Sequence, residues 1–257
     1  MLRSLRRLVR RFVPRVADPW LDAAIVRAAH DDAFGAAYAE SLATFEQGDT
    51  HAEARYFEGT RWRGVMERAA GTDGIVLDLG SGSGGVTLAL AAGSRSVVSV
   101  DNGWSETGRL AHRRAGVPYR HVVADAERLP FRSGAFGSII CIDTIEHFPD
   151  APAAGAEATR VLRRGGTVVM TTPARLGWIF RRDPHFSIRF LLMFSPGMQR
   201  RIAARRGFDQ PHHFVDRIYT DAQTLERLFP GTTIVRTLKR SRLPSRWFWE
   251  ALVLRKE

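Results

Sequence analysis

The sequence predicts an α/β protein, with a doubly wound, mostly parallel seven-stranded sheet and helices on both faces. Three observations lead there. Short apolar runs recur at 75–79, 96–100, 119–124, 136–142 and 167–172, and each stops at a turn-forming or acidic residue: Gly80, Asp101, Asp125, Asp143 and Pro173. Several of the segments between them carry helical spacing, which is how parallel strands are connected. The first run enters a glycine-dense turn that opens directly into a helical stretch, VTLALAAG.

The 257 residues, 44% apolar and 25% charged, suffice for one sizeable core. A single cysteine, Cys141, excludes a disulfide framework and a cysteine-rich zinc cluster, and suits a reducing, cytoplasmic compartment. No apolar run approaches the ~20 residues that span a bilayer. The net charge of +11 is uneven, because residues 1–16, MLRSLRRLVRRFVPRV, hold six arginines and no acid. At ~100° per residue, Leu2, Leu5, Leu8, Val9, Phe12, Val13 and Val16 face away from the arginines. Residues 1–17 therefore read as a basic amphipathic helix. An anionic membrane surface, at the inner membrane face, is the partner this pattern suits. A presequence, a nucleic-acid arm and a helix packed on its own domain remain alternatives.

Residues 18–70 read as a helical cap on the main domain, which runs from 18 to 257. Asp18-Pro19 opens it, Gln47-Gly48-Asp49-Thr50 interrupts it, and a helix from Glu53 to Ala70 closes it. The turn Gly74 to Gly85, GIVLDLGSGSGG, follows. Gly80-x-Gly82-x-x-Gly85 by itself also fits a dinucleotide fingerprint. Asp78 shifts the balance, since a carboxylate here repels a pyrophosphate and attracts an ammonium or sulfonium group. Asp101, at the tip of the second strand, has the chemistry to accept both hydroxyls of a ribose, at about 1.5 to 3 kcal/mol per charge-assisted bond. Asp125-Ala126-Glu127 ends the third strand, where it suits an adenine amine, and Trp104 is placed to cover the ring. Leu129 to Phe131 and a turn at Arg132 to Gly134 lead to the fourth strand, in which Cys141 reads as a small core residue. A helix from about Ala153 to Leu162 precedes Gly165-Gly166 and the fifth strand.

Taken together, VLDLGSGSGG, Asp101, ADAERLPF, FGSIICIDTIEHFPD and RVLRRGGTVVMTTP resemble a class I S-adenosylmethionine-dependent methyltransferase, of the broad group that includes ubiquinone-pathway enzymes. The resemblance covers about Glu53 to Pro173. It implies that Asp78, Gly80, Ser81, Gly82 and Gly84 hold the amino-acid end of S-adenosyl-L-methionine. It implies further that Asp101 and Asn102 take the ribose, and that Asp125 and Ala126 border the adenine, with Asp143 also at the cofactor. One departure is Phe136-Gly137, where the family usually has Phe-Asp; it bears on local packing. At the tail, Thr220-Asp221 caps a helix through Leu228. Strands at 232–238 and 248–254 would then supply the antiparallel terminal hairpin of the methyltransferase fold.

Asp143-Thr144-Ile145-Glu146-His147 lies at the carboxyl end of the fourth strand, the edge where ligands of open parallel sheets collect. In one reading His147, with Glu146, is the catalytic group and removes a proton from the acceptor. In another, Asp143, Glu146, His147 and His212 or His213 hold a divalent metal, a pattern similar to metal-dependent 2′-O-methyltransferases of small RNA, with Asp143 shortening the first carboxylate. A structural role is the third. The insertion at 175–215 alternates aromatic and aliphatic residues with arginines. As a lid over the acceptor it would suit a small or lipid-like molecule with an anionic part. The resulting expectation is methyl transfer to oxygen or nitrogen of such an acceptor. An RNA methyltransferase using the arginines as a phosphate track, and a binding module without turnover, are the competitors.

Overall fold

A computed structural model describes residues 50–70, 73–93, 95–173, 188–207, 219, 221–238 and 250–257. The basic helix expected at 1–17, cap residues 18–49, lid parts 175–187 and 208–215, and His212 and His213 lie outside the described residues.

The chain runs α1 (Thr50–Ala70), β1 (Val76–Leu79), α2 (Gly85–Ala92), β2 (Val97–Asp101), α3 (Glu106–Arg114), β3 (His121–Val123) and β4 (Phe136–Ile142). A 3₁₀ turn at Ile145–His147 precedes α4 (Ala151–Val161) and β5 (Leu162–Thr171). A second 3₁₀ turn at Leu191–Met193 leads to α5 (Pro196–Ala204), α6 (Ala222–Leu228), β6 (Thr232–Leu238) and β7 (Ala251–Lys256). The seven strands form one sheet in the order β3-β2-β1-β4-β5-β7-β6. The first five pair in parallel, and β7 joins β5 and β6 in antiparallel fashion, as expected.

Strands covered on both faces must be apolar at every position, and alternate residues then feed two different cores. Leu77, Ile139, Cys141, Val168, Met170, Leu252 and Leu254 pack on one side with Ala158 and Val161 of α4 and Leu225 of α6. Val76, Ile140, Ile142, Val169 and Val253 pack on the other, against Trp62, Val65 and Met66 of α1 and Val86 and Leu90 of α2. Cys141 is fully buried, as the strand pattern implied. Tyr56, Leu88, Ala89 and Ala111 join α1, α2 and α3.

Several boundaries differ from the sequence reading, for local reasons. β3 is three residues long rather than running from Tyr119 to Ala124, because Tyr119 leaves the ladder to stack on His121 at 5.3 Å. α4 begins at Ala151, where the Asp150 side chain accepts from the Ala153 amide. β5 begins at Leu162, which pairs with Phe136 across an irregularity at Gly137. That irregularity accounts for the missing aspartate: a Cβ at Gly137 would lie 2.8 Å from the Asp73 carbonyl oxygen. β7 spans 251–256 rather than 248–254.

Candidate active site

The order of strands reverses between β1 and β4, and the carboxyl ends of β1, β2, β3 and β4 share one edge. Leu79 pairs with Val100, Asp101 with Val123 and Asp78 with Ile140. In open sheets of this kind the loops leave such an edge in opposite directions, and the crevice between them is the usual ligand site.

The turn after β1 is built around its glycines, each for a different reason. A Cβ on Gly80 would overlap the side chain of Thr144, whose hydroxyl donates to the Gly80 carbonyl at 3.2 Å. On Gly84 it would lie 2.9 Å from Gly108 Cα, so this glycine brings α2 against α3. Gly82 faces open space, and its amide donates to Asp101 Oδ2 at 2.7 Å. Gly80 and Ser81 amides both donate to the Val100 carbonyl. The Ser81 hydroxyl is buried with no hydrogen-bond partner among the described residues. Close approach to a ligand thus falls to Gly82, whereas Gly80 and Gly84 permit packing.

Asp78 lies beneath this turn rather than in it. Its carboxylate is buried and accepts the Thr87 hydroxyl of α2 at 2.6 Å. Burial pushes its pKa up to about 6, against the opposing effects of the Thr87 bond and the Arg55 charge. Asn102 is exposed beside Asp101. Asp125 is exposed and accepts the Glu127 amide at 2.9 Å, and Ala126 is half-buried against the core. Glu127 accepts the Asp150 amide at 2.6 Å, at the start of α4. Trp104 is 56% exposed and meets Tyr119 and His121 edge-on.

At the end of β4 the backbone turns sharply, with Asp143 at φ +48°, a conformation aspartate tolerates better than most residues. The Asp143 amide donates to the Thr171 hydroxyl at 2.9 Å, and that hydroxyl donates to Asp143 Oδ1 at 2.7 Å. Asp143 Oδ2 pairs with Arg55 of α1 at 3.1 Å. Arg55 also donates to Glu58 and to the Ile142 carbonyl, both at 2.7 Å. Burial opposes its charge, but Glu58 and Asp143 together hold its pKa above the usual value. The sequence reading missed Arg55. Its signal was available: Arg55 shares a stripe with Gly59, Trp62, Met66 and Ala69, so a charge occupies a core-facing position of α1.

Glu146 is fully buried, and among the described residues neither of its oxygens has a partner at hydrogen-bond distance and geometry. Burial, then the neighbouring Asp143 charge, pushes its pKa well above the ordinary carboxylate range. His147 is half-buried at the end of the same 3₁₀ turn, closer to solvent. Asp143, Glu146 and His147 are therefore neighbours, but one carboxylate is held by Arg55 and Thr171 and the other is submerged. Among the described residues no group of three or more His, Cys, Asp or Glu is arranged to hold a metal.

The methyltransferase-domain family matches residues 77–170, the stretch that carries this turn, Asp101 and the β4 edge. Residues 77–170 thus carry a methyltransferase domain, on the sheet of the class I S-adenosylmethionine-dependent methyltransferases. The domain is 34% identical over 113 residues to a sarcosine/dimethylglycine N-methyltransferase of Halorhodospira halochloris, covering 42% of this chain and 40% of that protein. It is 33% identical over 114 residues to a ubiquinone biosynthesis O-methyltransferase of Pseudomonas paraeruginosa, covering 42% and 48%. The chain thus spans less than half the length of either relative. A solved 1,6-didemethyltoxoflavin-N1-methyltransferase from Burkholderia thailandensis, holding S-adenosylhomocysteine, shares the fold at TM-score 0.53 and 17% identity, over 95% of this chain and 94% of that one.

The residues of this methyltransferase domain fit the cofactor. The open space at Gly82 admits it, the buried Ser81 hydroxyl lacks a partner among the described residues, and Asp101 holds the turn through Oδ2. The alternation of carboxylates and Arg55 suits an amino-acid group that carries both signs of charge.

Proposed function

We propose that this protein transfers a methyl group from S-adenosylmethionine to an oxygen or nitrogen of a small or lipid-like acceptor. The observation that carries the reading is the crevice at the strand-order reversal, where Gly82 is open and tied to Asp101. The cofactor, when bound, supplies a methyl group on a positively charged sulfur. Asp101 accepts the ribose hydroxyls with Oδ1 while Oδ2 keeps the turn in shape. Arg55, pinned by Glu58 and the Ile142 carbonyl, meets the amino-acid carboxylate, and the negative potential of Asp78 and Asp143 favours the ammonium and sulfonium. Holding donor and acceptor at near-attack distance supplies much of the catalysis. Where the acceptor must lose a proton, His147 takes it, since Glu146 is kept protonated near neutrality by burial. Two relatives named for methyl transfer to nitrogen and to oxygen support that pair of atoms without selecting one. The aromatic and arginine residues of 175–215 favour an amphiphilic acceptor, and the basic pattern of 1–16 favours work beside an anionic membrane.

The test is Asp101→Ala. Losing one charge-assisted bond, at about 1.5 to 3 kcal/mol, predicts roughly 10- to 100-fold weaker binding of S-adenosylhomocysteine by calorimetry. The set of methylated metabolites and lipids in cells should shrink accordingly. Unchanged affinity in a folded variant overturns the cofactor assignment, and an unchanged metabolite profile overturns the activity.

A further inference from the structure

Residues 188–207 have a small core of their own. Ile188, Leu191 and Ala203 are buried together, with Ile202 against them, in a cluster separate from the two cores on the sheet. Three large apolar side chains of the same segment face outward instead: Met193, Phe194 and Met198 are 54%, 44% and 44% exposed. Their placement is specific. The Phe194 amide donates to the Leu191 carbonyl, and Gln199 Nε2 donates to the Phe194 carbonyl at 2.7 Å, which fixes Phe194 at the start of α5. Met198 follows one residue before Gln199, and Arg201 and Arg205 lie three and seven positions further along, on the same face of the helix and both exposed. Arg206 is exposed beside them. The twenty residues from 188 to 207 contain five arginines and no acid.

We propose that this face of α5, with the turn before it, docks the protein on an anionic lipid surface. Thioether and phenyl groups enter the acyl boundary while guanidiniums on the same helix meet head-group phosphates, so one orientation satisfies both. A nucleic acid would account for the arginines and leave Met193 and Met198 in water. The surface is distinct from residues 1–16, and its test reads lipid contact, independent of methyl transfer.

The experiment uses the full chain with Phe194→Cys carrying a polarity-sensitive dye. Cys141 is fully buried, so the new thiol takes the label. Vesicles of phosphatidylcholine and phosphatidylglycerol should shift the emission to the blue, and vesicles of phosphatidylcholine alone should not. The same dye at Arg132→Cys, in the exposed loop before β4, should stay unchanged. The combined variant M193S/M198S/R201Q/R205Q, with an unaltered thermal transition, should lower vesicle partitioning by about tenfold or more. No blue shift at position 194 overturns the proposal, even if the chain sediments with vesicles. So does an equal shift on adding RNA or an acidic protein, or a combined variant that partitions like the unaltered chain.

Discussion

Asp78 and Asp101 are both strand-end carboxylates, yet the fold uses them in opposite ways. Asp101 stays half-exposed, holds the Gly82 amide with one oxygen and offers the other, whereas Asp78 is enclosed between β1 and α2. Burial raises the Asp78 pKa to about 6 from 3.8. The folded protein therefore binds that proton more tightly than the unfolded chain does. The associated stability is full below the unfolded value and is lost as pH rises through about 6. Asp78→Asn retains an acceptor for Thr87 and removes the buried charge. It should raise unfolding stability by up to about 3 kcal/mol near pH 8 and by almost nothing near pH 3.5, while weakening cofactor binding. Urea unfolding of both proteins at the two pH values checks this, and equal stability near pH 8 would contradict it. The Asp101 carboxylate was legible from its strand-end position alone. That Arg55 meets Asp143 was not, because the two residues are 88 positions apart and come together only when α1 lies against β4.

At the scale of elements, helices approach where glycines let them. A Cβ on Gly59 of α1 would lie 2.7 Å from Val86 Cα and 2.8 Å from Ala89 Cβ of α2, so this glycine sets the distance at which α1 carries Arg55 to the site. On the opposite face, a Cβ on Gly155 of α4 would overlap the Leu228 carbonyl oxygen of α6. Alanine in a helix interior ordinarily gains about 1 kcal/mol over glycine. At Gly155 the overlap should reverse the sign, with Gly155→Ala costing about 1–3 kcal/mol in thermal or urea unfolding. A stabilised variant would mean that α4 and α6 separate readily. Strand and helix identities were readable because apolar runs and their stops are local. The start of β5 was not, because Leu162 becomes strand through its pairing with Phe136, a partner 26 positions earlier in the chain.

For the whole molecule, the net charge of +11 divides into local features, among them residues 1–16 and the arginine-rich segment at 188–207. Because the crevice is assembled from the ends of four strands, its ligand should stabilise the entire sheet. S-adenosylhomocysteine at 100 times its Kd should add about 2.7 kcal/mol, read as a rise in Tm that Asp101→Ala suppresses. A ligand-independent Tm in the unaltered chain would argue against the site. By itself the sequence determined the class of fold, the glycine turn and the carboxylates that end the strands, since periodicity and turn chemistry act over a few neighbouring residues. Only the tertiary structure decided which of those groups face the crevice. It buried Asp78 and Glu146, gave Glu127 to a helix start, brought Arg55 to Asp143 and left Met193, Phe194 and Met198 outside. Burial and ion pairing depend on what lies across space, and that depends on how distant elements pack.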